Sequence, residues 1–213
     1  MDRFIEDSIT LELKSVLGII QNRILNNTRY FGVKALKNPL DYWIYQEIIF
    51  AHKPDVIVEI GNNYGGSTLA LAHMQDLMDR GRVIAVDINH SKISTKVKNH
   101  TRILWIEQDA ISAFNQVRSM IEDGERVLVI EDSSHTYDNT LEVLKRYSQL
   151  IHVGDYMIVE DSICHHGLEV GPNPGQYEAI ESFMKNNDEF IIDRTREDFL
   201  ITWNPKVFLK RVK

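Results

Sequence analysis

The sequence predicts an α/β fold in which helices cover both faces of a mostly parallel sheet. Apolar, β-branched runs alternate with helical patterns along most of the 213 residues, an order that is typical of parallel sheets. A glycine-bearing loop follows the first of these runs, and acids stand near the end of each. Short connections between the last apolar runs indicate antiparallel pairing, so we expect an antiparallel strand at the C-terminal edge of the sheet.

Residues 1–53 are predicted to form an N-terminal helical extension or lid. Apolar side chains over 4–27 recur at helical spacing, which predicts one or two amphipathic helices. A loop then leads to Asn38, a candidate N-cap, and to Pro39, which suits the first position of a helix that runs to about residue 52. We expect the extension to bury its apolar stripe on the core or on a second subunit.

Residues 54–213 are predicted to form the α/β domain. Strands are expected near 56–60, 82–87, 102–106, 126–131 and 155–160, with helices near 66–79, 91–98, 111–122, 137–151 and 176–187. Closing strands are expected over 190–193, 199–203 and 207–210. The sequence contains no pattern that indicates a separate second domain.

The composition excludes several classes of protein. A net charge of -7 argues against a broad nucleic-acid or membrane surface. The first residues resemble no signal peptide and no apolar run approaches membrane-spanning length, so we expect a cytoplasmic protein. Cys164 is the single cysteine, which rules out an intrachain disulfide and a multi-cysteine zinc site.

The glycine loop after the first strand indicates a nucleoside-like ligand. Its glycines are Gly61, Gly65 and Gly66, without the G-x-G-x-x-G spacing of dinucleotide-binding proteins, and Glu59 precedes them. This order resembles the first motif of class I S-adenosylmethionine-dependent methyltransferases, whose ligand carries an ammonium group and a ribose. The candidate cofactor-binding residues are Glu59, Gly61, Asn63, Gly65, Ser67, Asp87, Asp109 and Asp132. The alternative is a glycine turn that only connects a strand to a helix.

The acids at the strand ends should meet at one edge of the sheet, where open α/β folds bind their ligands. Asp87 ends the second strand and is placed to accept the two ribose hydroxyls of a nucleoside. Asp109 follows the third strand, where it either contacts the adenine amino group or caps the next helix. So many carboxylates at one edge require cations to neutralise them.

Three of these acids form a candidate metal site. Asp132 ends the fourth strand, and Glu160 and Asp161 end the fifth, so an all-oxygen set suited to Mg²⁺ should converge at one point. The metal would bind a substrate hydroxyl and lower its pKa. His135 lies three residues beyond Asp132, where it either acts as a general base or serves as an ordinary loop residue. The candidate catalytic residues are therefore His135 and Asp132.

Several separated motifs resemble the cephalosporin hydroxylase / rhamnosyl O-methyltransferase family. They are N-P-L-D-Y-W-I-Y-Q-E from residue 38, the loop 59–67, D-S-S-H-T-Y from 132, V-E-D from 159 and F-L-I-T-W-N-P from 199. The resemblance implies a Rossmann-like class I methyltransferase fold, S-adenosylmethionine, and Mg²⁺ on the positions of Asp132, Glu160 and Asp161. It also implies frequent self-association, so we expect a homo-oligomer.

Together these observations predict an S-adenosylmethionine- and Mg²⁺-dependent O-methyltransferase. Its acceptor is expected to be a hydroxyl of a sugar or of a small natural-product intermediate, with neither nucleic acid nor membrane as partner. Two alternatives stay open: an N-methyltransferase, and a non-catalytic partner of a hydroxylation system. An oxygenase is disfavoured because the histidines, including His165 and His166, form no recognisable iron-binding pattern.

Overall fold

The computed structural model describes residues 4–213, which form nine strands and seven α-helices. The strands are β1 (Arg29–Tyr30), β2 (Val33–Lys34), β3 (Val56–Ile60), β4 (Arg82–Asp87), β5 (Ile103–Glu107), β6 (Val127–Glu131), β7 (Tyr156–Val159), β8 (Phe190–Ile192) and β9 (Phe208–Arg211). The helices are α1 (Leu13–Asn27), α2 (Pro39–His52), α3 (Gly66–Leu77), α4 (Thr95–Lys98), α5 (Ala110–Ser119), α6 (Tyr137–Tyr147) and α7 (Gln176–Lys185).

Seven of the strands form one mixed sheet in the order β5-β4-β3-β6-β7-β9-β8. Strands β3 to β7 pair in parallel, and β9 is antiparallel to both of its neighbours, β7 and β8. Strand β8 therefore forms the edge of the sheet, and β9 is the strand next to it. Strands β1 and β2 make a separate two-residue hairpin. The predicted α/β fold, mostly parallel with an antiparallel C-terminal strand, is confirmed.

The register of the central strands sets where the site residues meet. Glu131 at the end of β6 is the pairing partner of both Ile60 in β3 and Val159 in β7. The three strands therefore end side by side at the same edge of the sheet. Asp132 and Glu160 are the next residues, and their backbone N–H groups bind carbonyls of the neighbouring strands at 2.8 Å each. Their side chains are thus held by the sheet at its carboxyl edge.

The main core lies on both faces of this sheet, and α2 belongs to it. Val56, Ile57 and Val58 of β3 are fully buried, as expected for a central parallel strand covered on both sides. Helix α2 buries Tyr45 and Ile48 in the same core. It begins as the sequence predicts, with the Asn38 side chain accepting a hydrogen bond from the N–H of Leu40 and Pro39 in the first turn. The division at residue 53 into an extension and a domain stays a prediction.

Three segments differ from the elements that the sequence predicts. The expected helical pattern over 4–12 forms turns instead, and Ile5 and Ile9 are 76% and 78% exposed because no neighbouring element covers them. The expected strand over 199–203 does not form. There the N–H of Trp203 donates to Asp41 on α2, which replaces the strand ladder as its partner. Helix α4 is also shorter than expected. No helix in the described part of the chain is long and apolar enough to cross a membrane.

Candidate active site

A cavity of about 600 Å³ opens at the carboxyl edge of the sheet. One end is lined by the loops that follow β3, β4 and β5; its residues include Gly61, Asn63, Ser67, Asp87, Ile88, Gln108 and Asp109. The other end lies against α1 and the segment after residue 200; its residues include Gln21, Ile24, Leu25 and Trp203. Lys37, Asp132, His135 and Asp161 lie along the same cavity. Most of the predicted site residues therefore share one cavity.

Position 61 requires a glycine because its backbone packs closely against the loop after β6. Its φ of +91° lies in the left-handed region, and a Cβ there would sit 2.0 Å from the backbone oxygen of Asp132. Asp87 at the end of β4 fixes the other side of the loop, because its carboxylate accepts from the N–H groups of Asn62 at 2.7 Å and Asn63 at 2.9 Å. The glycine loop is thus held between two strand ends.

Glu59 lies behind the glycine loop and is not among the described residues that line the cavity. It is fully buried and accepts from the Asn62 side chain at 2.8 Å and from the Thr68 hydroxyl on α3. Burial raises the pKa of Glu59, although Lys37 opposes the shift. In the structure this acid therefore ties the loop to α3, while Ser67 of the same helix faces the cavity.

The predicted adenosine end of the cavity combines acids with an unusual apolar residue. Asp109 caps α5 by accepting from the N–H groups of Ile111 at 3.1 Å and Ser112 at 3.0 Å, as one of its two predicted roles requires. It also lines the cavity. Ile88 follows Asp87 and is 74% exposed in this cavity. Such an exposed side chain can cover one face of a planar base.

Three acids and one lysine meet between the two ends of the cavity. The Lys37 ammonium donates to Asp132 Oδ2 and, at 2.5 Å, to Glu160 Oε2. The lysine is 8% exposed at its side chain, and Glu160 is 5% exposed. Asp161 is the third acid; it has a left-handed φ of +62° and lines the cavity. One ammonium thus pairs with two of these three carboxyl groups.

Burial dominates the electrostatics of this cluster. It raises the pKa of Asp132 to about 6, against the opposing effect of Lys37. It also raises the pKa of Glu160 well above its ordinary value. Burial alone would lower the pKa of Lys37, but Asp132 and Glu160 outweigh it, so that this pKa lies well above the usual range. The lysine is therefore charged, whereas burial disfavours the ionised forms of Asp132 and Glu160.

His135 lies against the acids from the loop after β6. Its Nε2 is 3.6 Å from Asp132 Oδ1 and 3.6 Å from Asp161 Oδ2. Its φ of +61° is a left-handed conformation, which costs a non-glycine residue on the order of 1–3 kcal/mol. Its Nδ1 is buried without a hydrogen-bond partner among the described residues. One atom each of Asp132, His135 and Asp161 lies within 4.8 Å of the others, a spacing that fits one metal ion.

A polar network behind the cluster fixes Asp161. The backbone N–H of Asp161 donates to the Asn204 side chain at 3.0 Å, and Asn204 in turn donates to the Tyr45 hydroxyl at 2.9 Å. Asn204 also donates its backbone N–H to Thr202, whose hydroxyl binds Asp41 at 2.5 Å. Asn204, which follows the segment predicted as a strand, therefore positions an acid of the cluster, and Thr202 within that segment holds Asn204.

We expect Asp41 to make stability depend on pH. Burial raises the pKa of Asp41 to about 6, against hydrogen bonds from Thr202 and Trp203. The folded protein then holds a proton that the unfolded chain, with a pKa near 3.9, releases, so the contribution of Asp41 to stability rises as the pH falls through about 6. Relative to Asp41→Asn, the wild type should gain roughly 1–1.5 kcal/mol between pH 7.5 and pH 5 in urea unfolding. Parallel pH curves for the two proteins would contradict this.

Helix α1 closes the cavity on the side away from the glycine loop. Gln21 on this helix accepts from Trp203 Nε1 at 2.5 Å. Leu17 and Ile24 pack with Ile163 and Trp203 in a second apolar cluster, separate from the main core. This cluster joins α1 to the loop after β7 and to the segment after residue 200. The end of the cavity beyond the acids is thus walled by apolar and amide groups.

Sequence reasoning missed Lys37 and the Asp41 network. The excess of carboxylates at the sheet edge indicated that cations were needed there, but the sequence did not show that Lys37, just before α2, supplies one. The spacing of Asp41 and Asn204 along the chain carries no periodic signal. Nothing short of the folded chain brings these residues together.

The fold and the site define the class. A seven-stranded sheet with β9 antiparallel, and a cavity at its carboxyl edge beside a glycine loop, are features of class I methyltransferases. A CmcI structure with Mg and SAM superposes with a TM-score of 0.69, at 22% identity, over 87% of this chain and 77% of that chain. An O-methyltransferase from Bacillus cereus in complex with SAH has a TM-score of 0.57, at 13% identity, over 88% of this chain and 86% of that chain.

The chain belongs to the rhamnosyl O-methyltransferase/CmcI family, whose model matches residues 22–212. The rhamnosyl O-methyltransferase of Mycobacterium tuberculosis is 33% identical over 174 residues, which is 79% of this chain and 70% of that protein. The rhamnosyl O-methyltransferase of Mycobacterium leprae is 34% identical over 170 residues, 77% of this chain and 73% of that protein. The resemblance seen in the sequence motifs is confirmed.

Proposed function

We propose that the protein transfers the methyl group of S-adenosylmethionine to a hydroxyl of a sugar, with Mg²⁺ as cofactor. The observation that carries this proposal is that Asp132, Asp161 and His135 line the same cavity as the glycine loop and as Gln21 and Trp203. One end of that cavity suits a nucleoside, and the other end is free for an acceptor. A cofactor and an acceptor in this cavity would therefore share it with these three residues.

The adenosine end fits the cofactor by its chemistry. Asp87 would accept the ribose hydroxyls, Ile88 would cover the adenine ring, and Asp109 would lie near its amino group. Gly61, Asn63 and Ser67 would surround the methionine part, while Glu59 and Gly65 would shape the loop from behind. This division follows from which of these residues line the cavity and which are buried beneath it.

The acid cluster fits a hard divalent cation. Asp132, Glu160 and Asp161 supply carboxylate oxygens, the ligands that Mg²⁺ prefers. The unpartnered, buried Oε1 of Glu160 is an acceptor that lacks a donor among the described residues, and burial raises the pKa of both Asp132 and Glu160. These residues would hold the ion, which would lower the pKa of the acceptor hydroxyl and orient its oxygen.

The chain's own residues would complete the reaction. His135 would take the acceptor's hydroxyl proton on Nε2, the ring nitrogen that faces Asp132 and Asp161. These two carboxylates would stabilise the imidazolium that results. Asn204 would hold Asp161 in its left-handed conformation, and the cavity walls would exclude water from the sulfonium. The acceptor oxygen would then attack the methyl carbon opposite the sulfur.

A sugar acceptor is supported by the names of the curated relatives, which are rhamnosyl O-methyltransferases. The far end of the cavity offers the Gln21 amide and the apolar surfaces of Leu25 and Trp203. Such a mixture suits a deoxysugar, which has both hydroxyl groups and an apolar face. Self-association and a cytoplasmic location stay predictions.

We expect Asp87→Ala to weaken binding of S-adenosylmethionine at least tenfold, a loss of about 1.4 kcal/mol. The substitution removes the acceptor for the ribose and also frees the N–H groups of Asn62 and Asn63. Calorimetric titration of S-adenosylmethionine measures the change. Asp123→Ala removes the same charge from a fully exposed side chain and serves as the control.

Titration of the wild type with S-adenosylmethionine, with Mg²⁺ and with chelator tests the proposal as a whole. Methyl α-L-rhamnopyranoside is a suitable acceptor probe, with the methylated product detected by mass spectrometry. Transfer to its hydroxyl that stops in chelator would support the function. A folded wild type that binds no S-adenosylmethionine would overturn it, and transfer unaffected by chelator would overturn the role of the metal.

A further inference from the structure

Lys37 occupies the centre of the acid cluster. It reaches there from the segment between β2 and α2, and Asn38 and Pro39 fix the start of α2 immediately after it. Its ammonium contacts one oxygen of Asp132 and one of Glu160, with 8% of its side chain exposed. A lysine is rarely buried to this extent unless carboxylates surround it. The position is therefore a built cation site, filled by a residue of the chain.

This arrangement keeps Glu160 out of the metal-binding group. The atoms that lie within 4.8 Å of one another belong to Asp132, His135 and Asp161. Glu160 instead directs Oε2 to Lys37, and its Oε1 is buried without a partner. A divalent ion that used both Asp132 and Glu160 would have to share these two carboxylates with the ammonium. The ion and the Lys37 ammonium, both bound to the same carboxylates, would repel each other strongly in a buried site.

We propose that Lys37 is an internal counter-cation that holds the acid cluster in the metal-free protein and is displaced when a divalent cation binds. The inference rests on the proposed function, because it takes Asp132, Glu160 and Asp161 as the metal ligands. It adds a role for a residue outside that set. Lysine and metal are alternative occupants, so each weakens the other's hold on the carboxylates.

The structure offers space for a displaced Lys37 side chain and a physical reason for the lysine to be present. Lys37 lines the cavity, so open space lies beside its side chain. The metal-free cluster without Lys37 would leave three buried or half-buried acids facing one another, which is costly. The lysine thus keeps the ligands in place, at the expense of metal affinity.

Metal affinity in the wild type and three lysine variants tests this inference. Calorimetric titration of Mg²⁺ into Lys37→Met should give binding at least tenfold tighter than in the wild type. Lys37→Arg, which retains the charge, should bind Mg²⁺ no more tightly than the wild type. Lys34→Met is the matched control, because Lys34 lines the same cavity but its ammonium lies over the Tyr64 ring at 4.8 Å. Its Mg²⁺ affinity should stay within about twofold.

A second measurement needs no variant. Lys37 of the wild type should resist acetylation by acetic anhydride in chelator and become reactive when Mg²⁺ is added, as read by mass spectrometry of the peptide that contains it. Lys34 should react under both conditions. Thermal unfolding should show Lys37→Met less stable than the wild type in chelator, with the difference reduced by Mg²⁺.

The outcomes separate the two proposals. Unchanged or weaker Mg²⁺ binding by folded Lys37→Met, or a Lys37 that stays protected from acetylation in saturating Mg²⁺, would overturn the counter-cation role while leaving the metal site intact. Absence of Mg²⁺ binding by both the wild type and Lys37→Met would overturn the metal site of the proposed function itself. Tighter binding by Lys37→Met together with Mg²⁺-dependent acetylation would support both.

Discussion

Gly61→Ala is expected to destabilise the protein by about 3–5 kcal/mol, the largest loss of stability from any methyl-sized change at the glycine loop. Two costs combine. The left-handed φ of +91° is unfavourable for alanine by roughly 1–2 kcal/mol. The added Cβ would also lie 2.0 Å from the backbone oxygen of Asp132, so one of two strand-end loops must move. Urea unfolding measures the loss.

Gly154→Ala separates these two costs. Gly154 has nearly the same φ, +94°, but no atom lies within 4 Å of the position where its Cβ would be. Only the conformational cost applies there, so we expect a loss of about 1–2 kcal/mol. Equal destabilisation by the two substitutions would show that the contact with Asp132 does not constrain the loop. Because the contact is with Asp132, the Gly61 variant should also bind Mg²⁺ and S-adenosylmethionine poorly if it folds.

Asp132→Asn is expected to reduce methyl transfer by at least a thousandfold, equivalent to about 4 kcal/mol of transition-state stabilisation. The amide keeps the shape of the side chain but removes a charge that three groups use. Asp132 contacts the Lys37 ammonium, faces His135 Nε2 at 3.6 Å and is a proposed ligand of the metal. An amide nitrogen turned toward Lys37 would repel it, and His135 would lose a partner that stabilises its protonated form.

Titration with Mg²⁺ tests the role of Asp132 without an acceptor. Mg²⁺ affinity of Asp132→Asn should fall at least a hundredfold, about 2.7 kcal/mol. Asp138→Asn, in the first turn of α6 and exposed, removes an equal charge six residues away and should leave the affinity within about twofold. Retained Mg²⁺ binding by folded Asp132→Asn would exclude this residue from the metal site, whatever its effect on turnover.

The sequence predicted the parts of the fold that short-range patterns determine. The strands with continuous apolar runs, the glycine loop and the Asn38 cap each carry their signal within a few residues. The acids at the carboxyl edge followed from topology, since parallel strands end on one side. The family resemblance agreed with all of these. His135 was placed beside the acids by its spacing from Asp132 alone.

The remaining features depend on partners far away in the chain. Residues 199–203 have strand-like composition, but Trp203 bonds to Asp41, 162 residues earlier. Residues 4–12 have a helical pattern, yet the pattern cannot form a stable helix where no surface covers its apolar stripe. In the sequence, Lys37 is a charged residue next to the Asn38 cap and resembles a surface residue. Only in the folded chain do β6 and β7 bring two carboxylates to it. Long-range charge pairing of this kind has no periodicity to detect.

The position of β9 has a consequence for how the chain folds as it is synthesised. Strand β8 is made before β9, yet its pairing partner in the sheet is β9, which also closes the open side of β7. A nascent chain that ends before residue 208 therefore exposes the unpaired edge of β7, and such edges promote aggregation. We expect ribosome-bound chains that end before residue 208 to depend on chaperones more than the finished chain does. The protein should become resistant to proteases only after Phe208–Arg211 has emerged.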